Sequence, residues 1–264
     1  MIDAHCHPWD LLKYLPDAED ERRETRTTAA ASSWNQEQFA YNESLAKKAV
    51  ADGGPRLYCC FALHPQLSAD GDFPFREGIE LLDSLGAEGR LDAIGEMGFD
   101  LYGEEYRAGE KVQDEIFACH LEAALRYGLP VVLHVRRAMH KIFPLTGELK
   151  KLPAVIFHSW PGTRGEGEAL LRRGVNAFFS FGATVVKNHR AAMACAALFP
   201  ADRILLETDA PYQPLLGKSF SSWRDLDAIC EGIADLRKDA GNSCSGPEEL
   251  KEQTSANFFR VFTH

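Results

Sequence analysis

The sequence predicts an α/β fold, a (β/α)8 barrel, on three observations. Short apolar runs recur along the chain, each bounded by Gly, Pro or charge. Stretches with helical spacing separate them, and alternation of buried strand with one-sided helix implies parallel βα units. The length of 264 residues fits one such barrel, which typically takes about 250, so a single domain over residues 1–264 is expected.

The eight expected strands are residues 1–7, 26–32, 57–63, 91–95, 129–134, 153–158, 175–181 and 203–206. The second is the least apolar and is admitted because its β-prone threonines lie between two helical stretches. Residues 36–50, 75–85, 110–127, 166–173, 188–199 and 223–238 carry apolar side chains at intervals of three and four, as one-sided helices do. In the third of these, Ile116, Phe117, Leu121, Ala124 and Leu125 share a face, and Gly128 stands just past the end, where a left-handed cap is least costly. The polar stretch 17–26 reads as a solvated loop or helix face, and 241–247 as a surface loop between two terminal helices. A doubly wound sheet is the competing architecture. It would usually show phosphate-binding glycines after its first strand, and here the first strand ends in histidines.

The composition, 45% hydrophobic and 26% charged, excludes disorder and provides for a sizeable core. A net charge of −10 argues against holding nucleic acid on a general basic surface, which needs clustered cations. A small site that brings its own cations stays open. The seven cysteines include no Cys-x-x-Cys pair, so neither a disulfide framework nor a thiolate zinc knuckle is indicated, and a reducing, cytoplasmic setting is expected. The opening residues lack the basic patch and apolar core of a signal peptide, and no run of about 18 apolar residues occurs, so no membrane is expected as a partner. No hydrophobic surface stripe marks an obligate protein partner, and a monomer is expected.

The chemistry begins at His5-Cys6-His7, where a period of two turns both imidazoles to one side of a strand and Cys6 to the other. Glu96 then follows one apolar run, His134 and His158 each end another, and Asp209 stands just past the last. All these ionisable groups lie at the carboxyl ends of strands, the face on which barrels build active sites. Buried strands otherwise carry almost no charge, so the repetition indicates one convergent site. Four imidazoles and two carboxylates suit two divalent cations, with Mg, Mn, Zn or Ni all admissible by ligand type. Glu96 is expected to bridge the ions and Asp209 to take the proton of a water they activate, as in a displacement at phosphorus.

These residues resemble the TatD family of metal-dependent nucleases, within the amidohydrolase-like barrels. The resemblance is carried by Ile2-Asp3-Ala4-His5-Cys6-His7, Ala62-Leu63-His64-Pro65, the segment from Ala93 to Asp100 (AIGEMGFD), that from Leu129 to Arg136 (LPVVLHVR), and that from Leu205 to Tyr212 (LLETDAPY). It implies a first metal on His5, His7 and Asp209, a second on His134 and His158, and Glu96 between them. It further implies hydrolysis of phosphodiester bonds in DNA, often from a 3′ end, with a DNA or oligonucleotide end as substrate. His64 would then orient a phosphate, Arg136 would meet a phosphate oxygen, and Glu207 would support a water or a histidine ring. Arg137, His140 and Lys141 follow Arg136 and read equally well as a solvated face. Trp160 replaces the small residues usual after this histidine; it either stacks on a base or packs under a loop.

Two other readings compete. An amidohydrolase or lactonase acting on a small molecule would use the same site, but such enzymes commonly bridge their metals with a lysine where this chain has Glu96. A barrel that binds metal and catalyses nothing would be marked by a lost ligand, and none is missing.

Overall fold

A computed structural model of the chain describes all residues except 72, 188 and 264. Its eight strands form one parallel sheet in chain order: β1 (Ile2–Cys6), β2 (Thr28–Ala31), β3 (Leu57–Phe61), β4 (Ala93–Asp100), β5 (Val131–Arg136), β6 (Val155–Phe157), β7 (Ala177–Phe181) and β8 (Ile204–Leu206). The ring closes just past β8. There the Asp209 N–H donates to the His5 carbonyl at 3.0 Å and the His7 N–H to the Ala210 carbonyl at 2.7 Å. Asp3 bolts the seam, accepting the Thr208 N–H at 2.9 Å and its hydroxyl at 2.6 Å.

The core has two layers. Inside the barrel, small and branched side chains such as Ala4, Ala30, Ala93, Val132 and Ile156, with the larger Phe178, fill the lumen. Phe258, Val261 and Phe262 of the last helix, Pro247–Phe262, belong to the same cluster and floor its amino-terminal end. Outside, Phe61, Phe99, Phe117, Phe157, Phe179 and Phe199 pack in the layer between strands and helices. The helices fall where the 3.6-residue spacing puts them, including Gln36–Asp52, Phe75–Ala87, Glu110–Tyr127 and Arg164–Arg172. Gly128 adopts φ 64°, the left-handed cap its position calls for. Of the helix expected at 188–199, residues Arg190–Leu198 are helical, and Asn188 lies outside the described residues.

Three departures bear on the site. Strict alternation would turn Cys6 inward with Ile2 and Ala4, yet Cys6 lies in the outer core, because a register shift between Asp3 and Cys6 inserts an extra residue. A second shift, between Gly95 and Met97, does the same in β4. Such bulges re-aim side chains next to active sites. β4 also runs on to Asp100, past the expected end at residue 95, so Glu96 lies within the strand and not after it. Gly98 permits this. Its φ is 147°, and a Cβ there would stand 1.9 Å from the His134 carbonyl oxygen, so only glycine lets β4 and β5 stay paired.

The polar stretch 17–26 is a helix over Ala18–Glu24, and it is not simply a solvated face. Arg22 is fully buried, held by Glu19 at 2.8 Å, and donates to the carbonyls of Thr27 at 2.8 Å and Pro55 at 2.7 Å. Those carbonyls precede β2 and β3, where no strand partner is available, and a guanidinium can satisfy several at once.

Candidate active site

The two bulges bring β1 and β4 side chains to one point at the carboxyl end of the lumen. Nε2 of His5 and Nε2 of His7 stand 3.1 Å apart. Oε2 of Glu96 lies 3.2 Å from the first and 3.4 Å from the second, and Oδ1 of Asp209 is 3.5 and 3.4 Å from them. The other Glu96 oxygen, Oε1, faces the opposite way: it is 2.7 Å from His134 Nδ1, 3.3 Å from His158 Nε2 and 3.4 Å from His64 Nε2. All six residues expected as ligands therefore converge, with Glu96 between two groups of histidines. His5, Glu96, His158 and Asp209 are all buried.

Electrostatics follow from that burial. Loss of solvent alone would lower the His5 and His7 imidazoles, but Glu96 and Asp209 outweigh it and raise them to about 9 and about 10. Burial would push Glu96 and Asp209 up, and the surrounding histidines instead hold both carboxyls well below their usual range. His134 and His158 are raised against their burial, the first by Asp100 and Glu96, the second chiefly by Glu207. His64 is lowered, because burial there exceeds the pull of Glu96.

This donor set fits divalent cations. Three groups (His5, His158 and Asp209; His5, His7 and Glu96; His64, Glu96 and His134) each place three candidate donor atoms within 4.8 Å of one another. Two imidazole Nε2 atoms facing one another across 3.1 Å, with carboxylate oxygens beside them, are an arrangement in which a doubly charged ion can replace protons.

The supporting shell is also built. Ser32 Oγ lies 3.3 Å from His5 Nδ1, and Glu207 Oε1 is 3.1 Å from His158 Nδ1 while accepting the Ser159 N–H at 2.8 Å. Glu207 thus faces a histidine ring, one of its two expected roles. Gln213 donates to Asp209 Oδ2 at 2.8 Å. Of the six non-glycine residues with positive φ among those described, Arg137, Ser159, Asp209 and Gln213 lie at this rim. Such backbone costs about 1–3 kcal/mol per residue and is typically retained at working sites.

Asp100 was not anticipated from the sequence. Two steps beyond Glu96 on β4, it faces the same side; its Oδ2 accepts from His134 Nε2 at 3.2 Å and from Gln66 Nε2 at 2.8 Å. Burial would raise its carboxyl, but hydrogen bonds from His134, from Gln66 and from the Tyr102 N–H, which its Oδ1 accepts at 2.9 Å, hold it down to about 2. Its signal was present in the alternation Glu96, Gly98, Asp100, once β4 is allowed to continue.

The centre opens into a cavity of about 920 Å³, to whose wall His64 and Arg136 contribute. His64 Nδ1 accepts the Gln66 N–H at 3.2 Å, which places the neutral ring's proton on Nε2, toward Glu96. Arg136 is half-exposed, its guanidinium 3.8 Å from the centre of the Tyr102 ring and 4.0 Å from Asp100 Oδ2. Lys141 is tied to Glu110 and Asp114 at 2.7 Å each and has a structural role. Trp160 requires correction as a base-stacking residue. It is only 3% exposed and packs edge-on against Phe157 and Phe179, so neither ring face is open to a base. The apolar pocket behind β6 and β7 holds the indole more favourably than water would. The aromatic side chains that do line the cavity are Trp34, Tyr106 and Tyr212, all outside the strands.

Comparison with known proteins gives one answer. The family profile described as "TatD related DNase" matches residues 2–263. The 3'-5' ssDNA/RNA exonuclease TatD of Escherichia fergusonii is 28% identical over 210 residues, covering 71% of this chain and 78% of that protein. YjjV of Escherichia coli K12, described as an uncharacterized metal-dependent hydrolase, is 30% identical over 230 residues, 82% of each chain. The crystal structure of the E. coli YjjV TatD homologue superposes with a TM-score of 0.81 at 24% identity, over 100% of this chain and 98% of that one, and supports the barrel fold. With the ligand constellation assembled at the carboxyl end of that barrel, the chain belongs to the TatD family of metal-dependent hydrolases.

Proposed function

We propose that the chain is a two-ion phosphodiesterase that trims ends of single-stranded DNA. The observation that carries this reading is the division of the Glu96 carboxylate, with Oε2 toward His5 and His7 and Oε1 toward His134 and His158. One carboxylate shared by two sets of donors is what a pair of ions needs to offset their mutual repulsion. His5, His7 and Asp209 would hold one ion and His134 and His158 the other. The name of the E. fergusonii relative supports the substrate class.

Divalent ions there, with Mg, Mn, Zn and Ni as candidates, would supply Lewis acidity toward water and phosphoryl oxygens. The chain's own groups do the rest. Oδ2 of Asp209 is turned away from His5 and His7, is fixed by Gln213, and is assigned as acceptor of the water's proton. His64, with its proton on Nε2, donates toward a phosphoryl oxygen, and Arg136 meets another from the rim.

The test is incubation of the chain, loaded in turn with each of the four metals, with 3′-labelled single-stranded DNA. Shortening is expected, with a loss of about 10³-fold or more in Glu96→Ala, as for removal of a central group. No shortening with any metal, or equal activity in Glu96→Ala, would overturn the reading.

A further inference from the structure

The cavity is much larger than a phosphoryl group requires, and at about 920 Å³ it lies near the top of the range for ligand pockets. Among its wall residues outside the ligand cluster, the permanently charged side chains are Asp10, Arg136 and Lys187. Asp10 is already engaged, accepting the Tyr212 hydroxyl at 3.1 Å and pairing with Lys13 at 3.6 Å. Lys187 is exposed and makes no ion pair with any described residue. His189 stands beside it. Its Nδ1 accepts the Ala192 N–H at 3.3 Å, which leaves its other ring nitrogen as a donor. In a chain of net charge −10, the wall outside the ligand cluster thus carries two cations against one carboxylate.

The cations are not grouped. Arg136 ends β5, two residues beyond His134 and so on the same face, one step further out. Lys187 and His189 follow β7. The end of β6, which brings His158 to the centre, lies between these two strands in the sheet. A phosphodiester at Glu96 and His158 therefore has one cationic rim on each side.

We propose that Lys187 and His189, which follow β7, form a second phosphate subsite opposite Arg136. The site then takes a run of consecutive phosphodiesters, an oligonucleotide strand, in preference to a mononucleotide or a small phosphodiester. This rests on the phosphodiesterase reading and specifies its substrate. Arg136 is braced by the Tyr102 ring and serves one flank; Lys187, a flexible point charge, serves the other.

The experiment measures binding of a fluorescein-labelled trinucleotide to the full chain in magnesium, by anisotropy, over a range of salt. Cleavage is blocked in the ligand, whose terminal linkage carries a methylene in place of the leaving oxygen, so that every candidate metal ligand stays in place. Lys187→Ala is expected to weaken binding about five- to tenfold and to lower the slope of log affinity against log salt by about 0.7, the value for one phosphate contact on a single strand. Lys187→Arg should restore both. Replacing the flanking linkage by a neutral methylphosphonate should abolish the difference between the Lys187→Ala protein and the protein that keeps its lysine. An unchanged slope, an equal loss for a labelled mononucleotide, or no trinucleotide binding would each overturn the subsite. Failure of the phosphodiesterase reading shows separately, as absence of cleavage by the unsubstituted chain.

Discussion

The two ends of the barrel bury side chains equally well and for opposite reasons. At the amino-terminal end Phe258 is fully buried, its ring 5.3 Å from Tyr58 and 4.4 Å from Phe262, and the lumen is closed with apolar contact. At the carboxyl end His5 is just as buried, yet its neighbours are Glu96, Asp209 and further histidines of the candidate metal centre. Burial at the first end lowers the free energy through the hydrophobic effect. At the second it is unfavourable for each charge alone and is tolerated because the charges face each other. One end holds the chain folded and the other stores the unsatisfied valence that ions can take up.

That contrast can be broken in three ways, beginning with the largest effect. Phe258→Ala should cost about 3–5 kcal/mol in urea unfolding of the metal-free chain, with ions bound per folded chain unchanged. A loss below about 1 kcal/mol would mean that the last helix does not floor the lumen.

The second test is pH. In the metal-free chain His5 and His7 are raised from 6.5 to about 9 and about 10, so the folded state favours their protonated forms. Their contribution to stability is present in full below the unfolded value of 6.5 and is lost as pH rises through 9 to 10. Ion binding requires the same lone pairs and displaces those protons, so its dependence runs the other way. Metal-buffered titrations should show affinity rising about tenfold per pH unit for each proton displaced, continuing well above neutrality. Affinity that is flat above pH 6.5 would contradict the protonation of this cluster.

The smallest of the three concerns Asp100, which reaches the centre only through His134. Asp100→Asn should weaken ion binding by about 10–100-fold while costing the metal-free chain only the roughly 1.5–3 kcal/mol of hydrogen bonds to a buried charge. Equal ion affinity in the two proteins would reduce Asp100 to a tether for the Gln66 side chain and the Tyr102 N–H, both of which donate to it.

The fold was legible because each strand is an apolar run between polar breaks, and the candidate ligands were legible for a related reason: one charge at the end of such a run has an ordinary structural explanation, but the same placement repeated on several strands points to one site. Asp100 escaped notice because strand β4 was expected to stop at residue 95, and neither the bulge at Gly95 to Met97 nor the close approach at Gly98 has a periodic signature. Arg22 was hidden in a run of charges, where composition says surface and the carbonyls of Thr27 and Pro55 say otherwise. Trp160 was open to both stacking and packing, because nearness in sequence to His158 does not tell which side of the strand an indole takes; its burial removes the stacking role.

Local periodicity and motifs contiguous along the chain were enough for the barrel, for a single set of convergent candidate ligands and for the family. Tertiary structure decided the rest: the two faces of Glu96, the support of His134 by Asp100, and the flanking of the centre by Arg136 and Lys187. Those relations join residues from different strands and loops, and their distances depend on bulges and closure that no local pattern encodes.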